Sequence, residues 1–288
     1  MLNNIKKSTT LLAVTAALSC LTVGVTNAAS LEEVKDKGVV RIAIANEIPY
    51  GYMDMNGEAQ GPGPDVAEHI VEAMGIDNIE WEVTNFSSLI PGLRANRFDI
   101  VAAEMAVLPQ RCESVIYSVP NSTYGEGLLV QVGNPQDIHA YSDFAEGDLK
   151  VAIMAGADQL EMLQELGVPQ SNMVTISSNA DAISTVSTGR AAAYAATGMT
   201  ASELASKSDE VQIVEEFEDP VIGGEEVRSW GAFAFSSDSE ALRDAFNEHL
   251  VEFKKTDEWK EILSSYGFSK TDIEASFKRT TEELCSAE

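Results

Sequence analysis

Arg111 is the residue of this chain whose type and position most directly suggest chemistry. It follows an unbroken apolar run, Ile100-Val101-Ala102-Ala103, of the kind that forms a strand covered by helices on both faces. Before the run stand Leu89, Ile90 and Leu93 at helical spacing and a turn at Asn96-Arg97. The pattern predicts a strand from Phe98 to Ala103, then a loop carrying Glu104, Met105, Ala106 and, past Pro109, Arg111. Ligands of open α/β sheets sit beyond the carboxyl ends of such strands. A planar guanidinium there can hold a carboxylate through two parallel hydrogen bonds. Glu47 and Tyr50 follow another apolar strand, Val39–Ile44, and Phe86 ends a third, marked by Ile79, Trp81 and Val83. Three strand ends are therefore expected to face one cleft. Asp158 and Thr197 end two later strands and are expected to face the same cleft from the other side, although Asp158 equally suits a helix N-cap.

The elements that must position these residues follow from periodicity. Gly63 and Pro64 read as the cap and first residue of a helix with Val66, Ile70, Val71 and Met74 on one face, closed by Gly75. Leu128–Val132 reads as a strand making a first crossing into another lobe. A second βαβ series follows, with strands at 150–154, 174–177 and 191–196 and helices between them. Val211–Val214 and the acidic run Glu215–Asp219 come next, the latter a solvated loop. Ser229–Phe235 alternates and is expected to cross back, before helices at 239–254 and 257–266. The fold class is α/β: two lobes, each a βαβ sheet, joined by a two-strand hinge. Lobe 1 is expected to be discontinuous, residues 29–130 and 231–288, and lobe 2 to span 131–230.

Composition narrows the function. With 46 acidic against 19 basic residues, the net charge is −27, which repels nucleic acid and anionic membranes and suits solubility in a salty medium. Lys6 and Lys7, the apolar run Leu11–Val25 and Thr26-Asn27-Ala28-Ala29 have the layout of a cleaved signal peptide, residues 1–28. That run is too short to span a bilayer. Cys20 lies in a poor lipobox, so lipid anchoring is the lesser alternative to a soluble periplasmic product. Cys112 and Cys285 remain, and an oxidising compartment would permit a bridge between them. Neither these thiols nor His69, His139 and His249 have metal-site spacing. No Gly-x-Ser-x-Gly, P-loop or paired Ser/His arrangement points to catalysis, and no cofactor is implied.

Several stretches carry a resemblance. Asn96-Arg97-Phe98-Asp99 followed by Leu108-Pro109-Gln110-Arg111, the segment from Tyr50 to Gly75, and Asp257 to Gly267 resemble, in order and spacing, the periplasmic solute-binding proteins of the polar-amino-acid type (family 3, type II). Within that group the pattern around Arg111-Cys112-Glu113 is most similar to binding proteins for ectoine and hydroxyectoine. The resemblance implies a monomeric receptor that captures a small zwitterion by lobe closure and passes it to the membrane permease of an ABC importer. By the same resemblance Arg111 takes the carboxylate, Tyr50 and Phe86 form cage walls for the cationic part, and Glu47 is the counter-charge to an amidinium. Two departures stand out: Glu104 replaces a small residue, where it either stays wet or meets a donor on the ligand, and Ala106 stands where a third cage aromatic is expected. A receptor for another polar amino acid, or a dehydratase on the same fold, is the alternative.

Overall fold

The computed structural model describes residues 30–286; the signal-peptide segment, residues 1–28, lies outside them. A short helix, α1 (Leu31–Lys37), opens with a reciprocal capping box between Ser30 and Glu33, which satisfies two otherwise orphaned amides. It leads into β1 (Val39–Ile44), followed by α2 (Pro62–Ala73), β2 (Asn78–Val83), α3 (Leu89–Arg94), β3 (Ile100–Ala106), α4 (Pro109–Cys112), β4 (Val115–Tyr117) and β5 (Ser122–Tyr124). The next strands are β6 (Glu126–Gln131), β7 (Val151–Met154), β8 (Met173–Ile176), β9 (Ala193–Thr197) and β10 (Val211–Ile213), with α5 (Gln159–Glu165), α6 (Ala180–Ser187) and α7 (Gly198–Ser206) among them. The chain closes with β11 (Ser229–Ser236), α8 (Glu240–Phe253), α9 (Asp257–Ser265), α10 (Lys270–Ala275) and α11 (Thr281–Cys285).

Two sheets result. The first runs β2-β1-β3-β11-β4, with β5 also paired to β11, and the second runs β8-β7-β9-β6-β10. In each, the strands from the βαβ units are parallel, and one returning strand is antiparallel to its neighbours. This is the type II periplasmic-binding fold expected from the sequence. β6 pairs with β9 and β10, so the chain leaves the first sheet at Gly125, and the boundary expected after residue 130 moves forward accordingly. The return falls at Ser229, where β11 begins.

The cores follow the layers. One face of the first sheet packs on α2, α8 and α9 through Val66, Ile70, Phe246, Leu250 and Trp259. Its other face packs on α3 and α11 through Leu89, Leu93 and Leu284. The second sheet has its own core around Leu128, Ile153, Leu163 and Tyr194. Phe86 packs against both the second core and the α3 side of the first.

Two expected boundaries are corrected, and both corrections matter for the cleft. α2 begins at Pro62 with Gly61 as its cap, two residues earlier than the Gly63-Pro64 reading. Gly61 has φ +121°, and a Cβ there would lie 2.6 Å from the Pro49 carbonyl and 2.7 Å from that of Tyr50, so this close passage requires glycine. β3 continues to Ala106 instead of yielding to a loop at Glu104, because β11 pairs with it as far as Gly231↔Ala106. The register shifts between Ala232 and Ala234, and Glu104 on the facing strand has φ +45°. Such bulges re-aim a side chain. α7, α10 and α11 were not legible as helices.

Candidate functional site

The carboxyl ends of the parallel strands of both sheets converge on one cleft, and side chains reach across it. The Tyr50 hydroxyl donates to Thr197 Oγ1 at 2.8 Å, and the Thr200 hydroxyl donates to Glu47 Oε1 at 3.0 Å. Arg111 Nη2 donates to the Gly156 carbonyl at 3.0 Å, and the Ser229 hydroxyl to Asp158 Oδ2 at 3.2 Å. Each joins residues on opposite sides, so the lobes are closed on each other. The cavity they enclose leaves about 30 Å³ to the centres of water molecules, room on the order of two waters.

Six of the expected site residues line this cavity: Glu47, Tyr50, Phe86, Glu104, Asp158 and Thr197. Met105, Ala106 and Arg111 do not. Past the bulge, Met105 turns into the core, where its sulfur accepts from the Tyr117 hydroxyl at 3.3 Å. Ala106 contributes its carbonyl, which accepts from Arg111 Nη1 at 3.0 Å. The gap expected at Ala106 does not exist as a missing wall. Tyr124, from β5, stands 5.1 Å from Tyr50 between ring centroids, and Tyr194, from β9, lines the lobe 2 side. No local signal marks either tyrosine, since each reaches the cavity through strand pairing. Gln159 also lines it and was missed.

Thr197 is positioned by its own helix: its hydroxyl caps α7 by accepting from Thr200 N at 3.2 Å, and the same oxygen receives Tyr50. Asp158 occupies the N-cap position of α5 but makes no side-chain cap bond. Its carboxylate turns instead to Ser229, so the capping alternative is not realised.

The lining is acidic. Burial pushes the Glu47 carboxyl up, opposed by hydrogen bonds from Asn179 and Thr200 and reinforced by the charge of Asp158. Burial likewise raises Glu104, opposed by Ser122, Asn121 and the charge of Lys254. Glu104 Oε1 accepts from Asn121 at 2.7 Å and Oε2 from the Ser122 hydroxyl, so its partners are in the protein, in place of the solvent or ligand donor expected. Asn121 in turn accepts from Trp259 Nε1 at 2.8 Å, and Lys254, lowered by burial to about 7, lies over the Phe277 ring at 4.2 Å. Behind Asp158, burial and then the Asp158 charge push Glu126 well above the carboxylate range. Carboxylates beside aromatic faces suit a delocalised cation.

Gly231 keeps the Glu104 cluster compact. A Cβ there would lie 2.8 Å from both Glu104 Oε2 and Ser122 Oγ. Gly231→Ala is therefore expected to cost about 1–3 kcal/mol, as overpacking does, and to disturb the cavity wall. A denaturant midpoint matching wild type would show that the cluster can yield.

Arg111 is buried on α4, and its guanidinium lies 5.5 Å from the centroid of the Phe86 ring. Two of its five donors go to the backbone carbonyls of Ala106 and Gly156, which leaves three. Cys112, the next residue, is bridged to Cys285 of α11, resolving the pairing that the sequence left open.

A family model described as bacterial extracellular solute-binding proteins, family 3, matches residues 40–270. A probable amino-acid ABC transporter periplasmic-binding protein of Sinorhizobium fredii is 57% identical over 276 residues, covering 95% of this chain and 92% of that one. Among solved structures, EhuB in complex with hydroxyectoine is similar at 31% identity and a TM-score of 0.81, over 90% of this chain and 98% of that one. The ancestral amino acid-binding protein AncCDT-1, a precursor of cyclohexadienyl dehydratase, is similar at 26% identity and a TM-score of 0.72, over 83% of this chain and 99% of that one.

Proposed function

The chain belongs to family 3 of the bacterial extracellular solute-binding proteins, and from that premise we propose that it captures a small zwitterion of the ectoine and hydroxyectoine class without turning it over. As a solute-binding receptor of an amino-acid ABC transporter it acts outside the cytoplasm, and its partners are a small ligand and the membrane permease. Among the described residues no helix is long and apolar enough to cross a membrane. The observation that carries the finer reading is the wall itself: Glu47, Glu104 and Asp158 beside Tyr50, Phe86, Tyr124 and Tyr194. A ring with delocalised positive charge satisfies both kinds of wall, each close cation–π contact contributing about 0.5–2 kcal/mol.

Arg111 takes the carboxylate in this reading. It lies behind the Phe86 ring and exchanges its bond to the Gly156 carbonyl for the ligand's oxygens as the ligand seats. Because ligand touches both lobes, its affinity for the closed arrangement exceeds that for an open one, and this difference drives closure. The likeness to EhuB, whose complex contains hydroxyectoine, supports the same chemistry.

Titration with ectoine and hydroxyectoine tests the reading, and micromolar binding is expected. Failure of both to bind below millimolar would remove the ectoine class and leave the broader amino-acid receptor. Incubation with hydroxyectoine followed by NMR tests the absence of turnover; protein-dependent appearance of product would replace the receptor with an enzyme on the same fold.

The raised Glu47 carboxyl makes affinity sensitive to acid. The ionised form faces the cation, so binding is full above the folded-state value and lost as pH falls through it. Since burial lifts that value above 4.5, the loss begins at a higher pH than a solvent-exposed glutamate would give. Glu47→Gln should bind more weakly and lose this pH dependence. Hydroxyectoine titrations from about pH 8 down to about pH 4 read it out, and an unchanged pH dependence in Glu47→Gln would place Glu47 away from the cation.

A further inference from the structure

A second chamber adjoins the ligand cavity and shares the wall made by Phe86 and Met154. It lies between the lobes and offers about 410 Å³ to water centres, against about 30 Å³ in the inner cavity. Its polar lining consists of Asn46, Thr84 and Asn85 from lobe 1 and Ser177, Ser178 and Asn179 from lobe 2, and none of its lining residues is charged. In a chain with 23% charged residues, and beside a cavity lined by three acids, that neutrality is a distinct chemical character.

The donors and acceptors are already sorted. The Ser177 and Ser178 hydroxyls donate to Asp181 Oδ2 at 2.9 and 3.3 Å, which leaves their lone pairs to accept from the chamber. Asn46 Oδ1 accepts from Met53 N at 3.1 Å, which leaves its amide hydrogens to donate. Asn179 forms the partition: its oxygen accepts from the Tyr194 hydroxyl and its side chain bonds to Glu47, both inner-cavity residues. The two serines accept and Asn46 donates, and a hydroxyl group does both at a single atom. A carboxylate only accepts, and would meet serine lone pairs backed by Asp181.

We infer that the outer chamber is a subsite for a neutral, hydroxyl-rich extension carried on the ligand's zwitterionic head, so that this receptor takes amino acids joined to a polyol or sugar chain as well as compact zwitterions. The inference rests on the receptor reading above. The head occupies the inner cavity against Glu47 and Tyr50, and the extension passes between Phe86 and Met154 into the cleft.

Calorimetric titrations with proline, fructosyl-proline and hydroxyectoine test it on wild type and on the double variant Asn85→Ala/Ser177→Ala. Both substituted residues are exposed and lie in the outer chamber alone. Fructosyl-proline is expected to bind wild type at least tenfold more tightly than proline does. In the double variant that advantage should shrink to threefold or less, while hydroxyectoine affinity stays unchanged. Equal affinity for proline and fructosyl-proline in wild type overturns the subsite and leaves the receptor reading standing; so does an advantage that survives in the variant. Failure of all three compounds to bind wild type overturns the receptor reading and this inference with it. A second variant, Ser178→Trp, fills the chamber and should exclude fructosyl-proline alone.

Discussion

Arg111→Ala is expected to raise the dissociation constant for hydroxyectoine by roughly 30-fold to several thousand-fold while leaving the protein folded. Truncating one partner of a buried, hydrogen-bonded charge pair costs about 2–5 kcal/mol, and each 1.4 kcal/mol or so is tenfold in affinity. The fold should tolerate the change because Arg111 releases only two backbone acceptors, the Ala106 and Gly156 carbonyls, at a cost of about 1–3 kcal/mol for the buried one. Arg111→Lys should fall between wild type and alanine, since an ammonium keeps the charge but not the planar fork. The same side chain also ties the lobes together, and the two roles separate by ligand. If Arg111 only braces the closed state, a cation without a carboxylate loses as much affinity as hydroxyectoine does. If it holds the carboxylate, the cation's affinity changes little. Calorimetry with hydroxyectoine within tenfold of wild type for Arg111→Ala would show that the carboxylate is held elsewhere.

The second large effect concerns the Cys112–Cys285 bridge, which closes a loop with a sequence separation of 173. Removing a disulfide typically costs about 2–5 kcal/mol, mostly by freeing the unfolded chain. For a protein of this size that corresponds to a fall in melting temperature of roughly 4–10 °C. The double variant Cys112→Ala/Cys285→Ala avoids a stray thiol and isolates the bridge. It should also weaken hydroxyectoine binding, because Cys112 anchors the four-residue α4 on which Arg111 stands. Calorimetric melts with and without reductant test the stability effect. A shift of less than about a degree would show that Leu284 and the Thr281 bond to the Ser118 carbonyl hold α11 by themselves.

What was legible in the sequence divides along the distance over which each feature is determined. β1 was read at its observed bounds because Val39–Ile44 is apolar at every position but Arg41 and lies between a capped helix and a polar turn. Phe86, Glu47 and Tyr50 were placed at the cleft because each closely follows its strand. The reading failed where a partner far along the chain decides the outcome. β3 outlasts its apolar run because β11, some 130 residues later, pairs with it, and the bulge between them sets where Glu104 and Met105 point. Ala106 looked like a missing wall because the aromatics that join Tyr50 and Phe86 around the cavity, Tyr124 and Tyr194, come from β5 and β9, positioned by pairing with β11 and β6. Glu104 looked like an unsatisfied acid because Asn121 and Ser122 reach it only once β5 lies beside β11.

The place of β11 within the first sheet has a consequence for the order of assembly. Every strand of the second sheet lies between Glu126 and Ile213, a contiguous segment that can fold as a unit once it has emerged. The first sheet cannot do so. β11 is its last strand to be synthesised, yet it lies between β3 and β4 and also receives β5. Until Ser229–Ser236 is available, β1, β2 and β3 have an open edge, and β4 and β5 have nothing to pair with. Nearly all of the lobe 1 chain up to Gly125 must therefore wait, extended or loosely collapsed, for a segment near the end of the chain. Such long-range closure is slow. A polypeptide that is to be threaded through a translocation channel benefits from that delay, because the half that emerges first cannot lock into a globule before the last strand has followed.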